Sequence, residues 1–286
     1  MSMTVKEILN VAKSSLNEHG IDEAEVNAKS LMCHLLSIDQ AKLFMNWDKA
    51  LTEHQCELYF ELLDRRNSHI PLQYIVGFQN FMGEEFAVRE GVLIPRPETE
   101  IMVSLAIKKL SEMKKPKVLD LCTGSGIIAV TIAKNIAKAK VVASDISEYA
   151  IALATENAKR LNASVTVKKG DLFEPFKGKF TKTKFNMIIS NPPYIKTSEI
   201  ANLQEEVRDY EPILALDGGQ DGLEFYKRIA GEASEHLVKG GILLMEIGYD
   251  QKMKIIRLLE ESGKYENIDV IKDYAGHDRI LYCEAS

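Results

Sequence analysis

The first part of the chain carries hydrophobic side chains at intervals of three and four residues, the spacing that lines one face of a helix. Thr4 and Glu7 form the pattern of an N-terminal capping box ahead of the first such run, and Thr52 with Gln55 repeats the pattern further along. The hydrophobic positions of the first run are Val5, Ile8, Leu9, Ala12 and Leu16. We expect residues 1–72 to form a small helical bundle.

Residues 73–95 break this spacing. Aromatic and β-branched side chains such as Tyr74 and Phe81 alternate with glycines, and Pro71 and Pro97 border the segment. The pattern predicts a short β-hairpin that links two domains.

From residue 96 onward, short apolar runs alternate with helical patterns. The runs cover residues 118–122, 141–146, 165–168, 185–190, 242–247, 268–272 and 279–284. Their alternation predicts an α/β domain over residues 96–286 with a doubly wound, mostly parallel, seven-stranded Rossmann-like sheet. The last two runs have no helical pattern between them, so we expect the final strand to turn back antiparallel.

The composition is that of a globular enzyme, since 45% of the 286 residues are hydrophobic and 27% are charged. No apolar run approaches the ~20 residues that cross a bilayer, and the start of the chain lacks the apolar core of a secretion signal. The cysteines form no C-x-x-C pair. We therefore expect reduced thiols, no metal site, no membrane partner and a cytoplasmic location.

A glycine turn follows the first of the apolar runs. After Asp120 the chain continues as Leu121-Cys122-Thr123-Gly124-Ser125-Gly126, and glycines there allow a positive φ and a close approach of the backbone to a ligand. The next run ends in Asp145-Ile146, where a carboxylate suits the two hydroxyls of a ribose. Asp171-Leu172, after the third run, would border an adenine ring. The segment 124–129 also fits the dinucleotide fingerprint, so NAD binding stays open on this motif alone.

A stiff tetrapeptide, Asn191-Pro192-Pro193-Tyr194, follows the apolar run 185–190. Prolines fix their own φ and keep the preceding residue extended, and ligands of open α/β sheets bind beyond the carboxyl ends of the strands. The side-chain oxygen of Asn191 and the carbonyl of Pro192 can each accept one proton of a planar NH₂ group, on which Tyr194 can stack. We expect these residues to clamp an amide-like nitrogen while it attacks a methyl donor.

These motifs together resemble those of the release-factor glutamine N5-methyltransferases, the PrmC/HemK family. The likeness covers nearly the whole chain and is strongest at residues 71–75, 94–100, 120–126 and 191–194. It implies transfer of a methyl group from S-adenosylmethionine to the glutamine of a Gly-Gly-Gln tripeptide in class 1 peptide chain release factors.

The motifs and the resemblance give two sets of expected site residues. The residues expected to bind S-adenosylmethionine are Asp120, Cys122, Thr123, Gly124, Ser125, Gly126, Asp145, Ile146, Asp171, Leu172 and Asn191. Those expected to hold the substrate glutamine are Asn191, Pro192, Pro193, Tyr194, Arg96 and Glu100. Cys122 stands where many methyltransferases have glycine, and we expect it to tolerate the cofactor if its backbone keeps an ordinary conformation.

Two other functions remain open on the sequence. An adenine N6-methyltransferase of DNA or RNA shares the tetrapeptide, but it must flip a base and bind phosphates. The formal net charge of −6 and the absence of a basic block weigh against a nucleic-acid substrate. A nucleotide-binding or NAD-binding module would leave the tetrapeptide without a role. We expect a monomer whose helical bundle helps to recognise the release factor.

Overall fold

The structure is a computed structural model that describes residues 3–177 and 184–286, and the chain divides into two compact units. The first unit contains the described residues up to Phe78 together with Gln204–Tyr210, and the second contains Gln79–Leu203 and Glu211–Ser286. The α-helices are α1 (Val5–Glu18), α2 (Ala24–Leu36), α3 (Gln40–Met45), α4 (Glu53–Asn67), α5 (Leu72–Val76), α6 (Pro97–Ser111), α7 (Ile127–Asn135), α8 (Glu148–Arg160), α9 (Glu205–Tyr210), α10 (Ile213–Leu216), α11 (Glu224–His236) and α12 (Lys252–Ser262). The strands are β1 (Phe78–Phe81), β2 (Glu84–Ala87), β3 (Lys117–Leu121), β4 (Lys140–Asp145), β5 (Val165–Lys169), β6 (Phe185–Ser190), β7 (Leu237–Glu246), β8 (Tyr265–Lys272) and β9 (Asp278–Ala285). Across the described ranges, no helix is long and apolar enough to cross a membrane.

The first unit is a helical bundle, as the hydrophobic spacing predicted. Thr4 caps α1 and Thr52 caps α4 through the expected capping boxes, in which each threonine side chain accepts the backbone N–H three residues further on. The buried faces of α1, α2 and α4 share one hydrophobic core. Within it, the hydroxyl of Tyr59 donates to the carbonyl of Ala28 at 2.9 Å, so its polar atom is not left unpaired.

Helix α9 belongs to this bundle although it is distant in sequence. Arg66 on α4 is almost fully buried, and its guanidinium lies 2.8 Å from the carboxylate of Glu206 on α9. It also donates to Asn27 at 2.7 Å and to the carbonyl of Ile70 at 3.0 Å. A buried cation requires such partners. The sequence assigned this segment to the α/β domain, because an ion pair between remote residues leaves no local pattern.

The hairpin prediction for residues 73–95 is only partly correct. Leu72–Val76 is a helical turn rather than a strand: the carbonyl of Pro71 accepts the N–H groups of Tyr74 and Ile75, and Gly77 ends the turn with φ 85°. Glycine adopts that left-handed backbone without a steric penalty. The hairpin is confined to β1 and β2, and their side chains Phe81 and Phe86 are buried in the core of the second unit. These residues therefore pack into that core and do not form a free linker.

The second unit is built on one seven-stranded sheet in the order β5-β4-β3-β6-β7-β9-β8. Strands β5, β4, β3, β6 and β7 run parallel, and β9 runs antiparallel to β7 and β8, as the missing helical pattern predicted. One hydrophobic cluster joins the sheet to α11 and α12, and a second joins it to α6, α7 and α8. Both faces are covered, which confirms the doubly wound α/β class.

Asn157 on α8 ties the end of the hairpin to the glycine loop. Its side-chain nitrogen donates to the carbonyls of Ala87 at 3.0 Å and Ser125 at 2.9 Å, and its oxygen accepts the N–H of Ala87 at 2.9 Å. The side chain is fully buried. It satisfies three backbone groups that would otherwise be buried without partners.

We predict that Asn157→Ala lowers the free energy of unfolding by about 2–4 kcal/mol, because the buried backbone partners lose their hydrogen bonds. Urea denaturation followed by circular dichroism measures the change. Asn135→Ala is the matched control, since the side chain of Asn135 donates to the carbonyl of Thr131 one helical turn earlier, and the loss of this hydrogen bond should cost less than about 1 kcal/mol. Equal stabilities of the two variants would contradict the prediction.

Candidate active site

A cleft of about 950 Å³, partly open to solvent, lies at the carboxyl ends of β3, β4 and β6 in the second unit. Eleven of the predicted site residues line it, namely Arg96, Cys122, Thr123, Gly124, Ser125, Asp145, Ile146, Asp171, Leu172, Asn191 and Pro193. The predicted residues outside the lining are Asp120, Gly126, Glu100, Pro192 and Tyr194.

Asp120 shapes the glycine loop from beneath. Its side chain is 0% exposed, and one carboxyl oxygen accepts the hydroxyl of Thr123 at 2.6 Å and the N–H of Ala129 at 3.2 Å. Burial raises the pKa of Asp120 to about 7. The prediction that Asp120 contacts the cofactor directly finds no support, since the loop folds over it and leaves only its neighbours in the cleft.

Two cleft residues that are not glycine adopt left-handed backbone. Cys122 has φ 56° and Leu172 has φ 46°. This conformation costs a residue with a Cβ roughly 1–2 kcal/mol, and such strain is concentrated at functional sites. The condition under which Cys122 was expected to tolerate the cofactor, an ordinary backbone conformation, is therefore not met. Burial raises the pKa of its thiol well above the usual range, so the side chain is a neutral group in the cleft wall.

The carboxylate of Asp145 faces the glycine loop at the end of β4. One oxygen accepts the N–H of Gly124 and the other accepts the N–H of Ser147, both at 2.9 Å. Each oxygen keeps a lone pair with which it can accept a ribose hydroxyl. Burial raises the pKa of Asp145. The loop and this carboxylate together fit a nucleoside-containing cofactor.

Gly126 serves packing rather than ligand contact. A Cβ at this position would lie 2.9 Å from the Cβ of Ala154 and 3.0 Å from its Cα, so α7 and α8 could not keep their close approach. Its φ of 82° also favours glycine.

The region expected to border the adenine contains an ion pair. Asp171 accepts a hydrogen bond from Arg228 on α11 at 2.6 Å, and Leu172 is buried beside it in the cleft wall. Arg228 in turn lies 5.7 Å from the ring centre of Phe225, which also lines the cleft. No motif pointed to Phe225.

The tetrapeptide follows β6 with only part of it in the cleft. Asn191 and Pro193 line the cleft, whereas Pro192 is buried and Tyr194 points to other partners. The carbonyl of Tyr194 accepts the side-chain nitrogen of Gln251 at 2.9 Å, and its hydroxyl donates to Glu246 over a long 3.4 Å. The expected stacking role of Tyr194 therefore lacks support in this geometry.

Asn191 is connected to a buried carboxyl group through one hydroxyl. Its side-chain nitrogen donates to the hydroxyl of Thr99 at 3.4 Å, and that hydroxyl donates to Glu246 at 2.6 Å. Sequence reasoning missed both partners. A signal existed for Glu246, because it ends a buried strand at the same edge of the sheet that located Asn191.

The two charged residues expected at the mouth of the cleft have different roles. Arg96 lines the cleft and donates to both carboxylate oxygens of the buried Glu211, at 2.7 and 2.8 Å. Glu100 accepts the N–H of Met82 at 2.8 Å and so supports the hairpin turn. Glu100 does not line the cleft, and its expected contact with the substrate has no support in this geometry. In the described part of the chain, no three His, Cys, Asp or Glu side chains are grouped as a metal site.

Two family models match successive parts of the chain. Residues 7–77 match the family model described as PrmC N-terminal domain, and residues 98–210 match the one described as Methyltransferase small domain. The chain is 40% identical to the release factor glutamine methyltransferase of Thermodesulfovibrio yellowstonii, over 99% of this chain and 97% of that protein. It is also 40% identical to the release factor glutamine methyltransferase of Geobacter sulfurreducens, over 97% and 95% of the two chains.

A solved methyltransferase from Pyrococcus furiosus shares the fold, with a TM-score of 0.51, 21% identity and coverage of 71% of this chain and 89% of that one. Identity at this level supports the architecture alone. The relatives that align over almost the full length are much more similar in sequence. The chain therefore belongs to the release factor glutamine methyltransferase family.

Proposed function

We propose that this protein transfers a methyl group from S-adenosylmethionine to the side-chain nitrogen N5 of the glutamine in the Gly-Gly-Gln tripeptide of class 1 release factors. One observation carries the proposal: Asn191, which suits a planar amide, lines the same cleft as Asp145 and the glycine loop, which suit the cofactor. The substrate class is supported by relatives of that name that match almost the whole chain.

The chemical difficulty is the acceptor, because an amide nitrogen shares its lone pair with the carbonyl group. S-adenosylmethionine, when bound, supplies the methyl group on a positively charged sulfur. The oxygen of Asn191 accepts a hydrogen bond from the substrate NH₂, orients the nitrogen and stabilises the positive charge that develops on it as the C–N bond forms and the methyl–sulfur bond breaks, with the thioether as leaving group. The proton becomes acidic only then and leaves to water. Such positioning can lower the barrier by ~7–11 kcal/mol.

The proposed function includes the class of substrate, the cellular location and the oligomeric state of the enzyme. A net charge of −6 favours a protein substrate over a nucleic acid. The four free cysteines suit a reducing compartment, so we assign the enzyme to the cytoplasm. We propose that it acts there as a monomer.

The helical bundle is proposed to recognise the release factor. None of the residues that line the cleft belongs to the first unit. Phe44 and Met45 on α3 are 75% and 85% exposed, and large exposed apolar side chains are typical of interaction surfaces. Remote contacts of this kind can supply binding energy that a glutamine between small residues does not offer.

Asn191→Ala should lower kcat for release factor methylation by at least ~10²-fold, because it removes the acceptor for the reacting NH₂ group. Intact-mass analysis of the release factor over time measures the rate. Asn186→Ala is the matched control, since Asn186 lies near the start of the strand that Asn191 follows, and its side chain accepts the N–H of Lys117. Near wild-type kcat in a folded Asn191→Ala enzyme would exclude the proposed role.

Asp145→Asn should weaken S-adenosylmethionine binding by ~10–100-fold, because the amide offers one acceptor fewer to the ribose. Ribose hydroxyls donate to the ionised carboxylate, whose pKa is raised by burial. Wild-type affinity should therefore fall as the pH drops through that pKa, and the variant should lose this part of the dependence. Calorimetry over a pH series measures both effects. Asp120 is present in both proteins, so the difference between the profiles reports Asp145, and tight NAD binding would contradict the assignment.

Replacing Phe44 and Met45 together by serine should raise KM for the intact release factor by ~10-fold, because exposed apolar anchors often dominate an interface. Steady-state kinetics on the intact protein and on a short Gly-Gly-Gln peptide measure the change. KM for the peptide should stay constant, because a short peptide does not reach the bundle. An unchanged KM for the intact protein would remove this face from the recognition surface.

A further inference from the structure

Glu246 is a carboxyl group that the proposed chemistry leaves without a role. It ends β7, is 1% exposed and does not line the cleft. One carboxyl oxygen accepts the hydroxyl of Thr99 on α6 at 2.6 Å, and the other accepts the hydroxyl of Tyr194 at 3.4 Å. Burying a carboxyl group costs desolvation free energy, so its presence here suggests a role in the protein.

The hydrogen bonds around Thr99 fix a direction. A hydroxyl has one proton, and an ionised carboxylate can only accept, so the proton of Thr99 points to Glu246. Only lone pairs of Thr99 then face Asn191, and they can receive its NH₂ but not its oxygen. The two ends of an asparagine amide have nearly the same shape, and its neighbours decide which way it points.

The consequence reaches the cleft. With its nitrogen held by Thr99, Asn191 has its oxygen free to accept a proton of the substrate amide. If the side-chain amide of Asn191 were reversed, its NH₂ group would face the NH₂ group of the substrate, and the two donors would repel each other. We propose that Glu246 is a positioning residue which, through the Thr99 hydroxyl, keeps the Asn191 oxygen directed at the reacting nitrogen. This inference rests on the proposed function.

The surroundings of Glu246 make the arrangement sensitive to pH. Burial raises its pKa, the hydrogen bond from Thr99 and the charge of Arg279 on β9 oppose that rise, and Glu98 on α6 adds to it. Tyr194 donates to its carboxylate and Tyr226 on α11 donates to its backbone carbonyl. Protonated Glu246 can itself donate to Thr99, which frees Thr99 to donate to the Asn191 oxygen. Wild-type kcat should thus fall as the pH drops through the raised pKa.

The test compares Glu246→Gln and Thr99→Val with Thr99→Ser in the full-length enzyme. The first two should lower kcat by about 10-fold, less than the loss of Asn191 itself, because the amide still adopts the productive orientation part of the time. Thr99→Ser keeps the hydroxyl and should restore most of the activity. S-adenosylmethionine affinity should stay within about twofold, and the fall of kcat at low pH should disappear in Glu246→Gln and Thr99→Val.

Thr131→Val is the matched control for a buried threonine. Thr131 lies on α7, and its hydroxyl has no hydrogen-bond partner among the residues that the structure describes. Its replacement should leave kcat and the pH profile unchanged. The comparison of Thr99→Val with Thr131→Val thus separates loss of the hydrogen bonds between Glu246, Thr99 and Asn191 from a general effect of losing a buried hydroxyl.

The outcomes are separable. The inference is overturned if Glu246→Gln keeps the wild-type kcat and the same fall of kcat at low pH. It is also overturned if kcat of Thr99→Ser is as low as that of Thr99→Val. Should Glu246→Gln fail to fold, the two Thr99 variants decide the question. A wild-type enzyme that binds S-adenosylmethionine but leaves the release factor unmethylated overturns the proposed function and this inference with it.

Discussion

The desolvation of three carboxyl groups at one edge of the sheet governs the arrangement of the cleft. Asp120, Asp145 and Glu246 end or nearly end β3, β4 and β7, and burial raises the pKa of each, that of Asp120 to about 7. A buried carboxylate needs hydrogen bonds, and the donors come from the loops and helices that follow or border these strands. Asp145 holds the glycine loop through the N–H of Gly124, and Glu246 holds the hydroxyl of Thr99 beside Asn191. The hydrogen bonds that these carboxyl groups require therefore position both the glycine loop and the side chains of Thr99 and Asn191.

The parts of this arrangement that depend on neighbours in sequence were predictable. A glycine turn after an apolar strand, an aspartate at the end of the next strand and a proline-bounded Asn191 each carry their own pattern, and the rule that ligands bind at the carboxyl ends of strands brings them together. The capping boxes at Thr4 and Thr52 are equally local. Such patterns correctly located the bundle and the sheet, and they named eleven of the residues that line the cleft.

The parts that depend on remote contacts were not predictable in this way. Glu100 is a charged residue in a conspicuous motif, but its carboxylate accepts a backbone N–H of the hairpin. Thr99, one residue earlier, contacts Glu246, which is far along the chain. The left-handed backbone of Cys122 reflects a loop that wraps Asp120, and a cysteine carries no local preference for that conformation. Propensity describes the residue, whereas these features are set by what the fold brings beside it.

The acceptor geometry by itself does not separate glutamine from adenine, because both present a planar NH₂ group to the same asparagine. The discrimination must come from outside the clamp. An adenine in nucleic acid arrives with phosphates and must leave its stack, and a chain with a net charge of −6 offers little to offset those costs. A glutamine on a protein loop arrives with neither cost, but it requires contacts beyond its own small surface. We propose that exposed apolar side chains such as Phe44 and Met45 provide them, in which case the bundle serves recognition and Asn191 serves the chemistry.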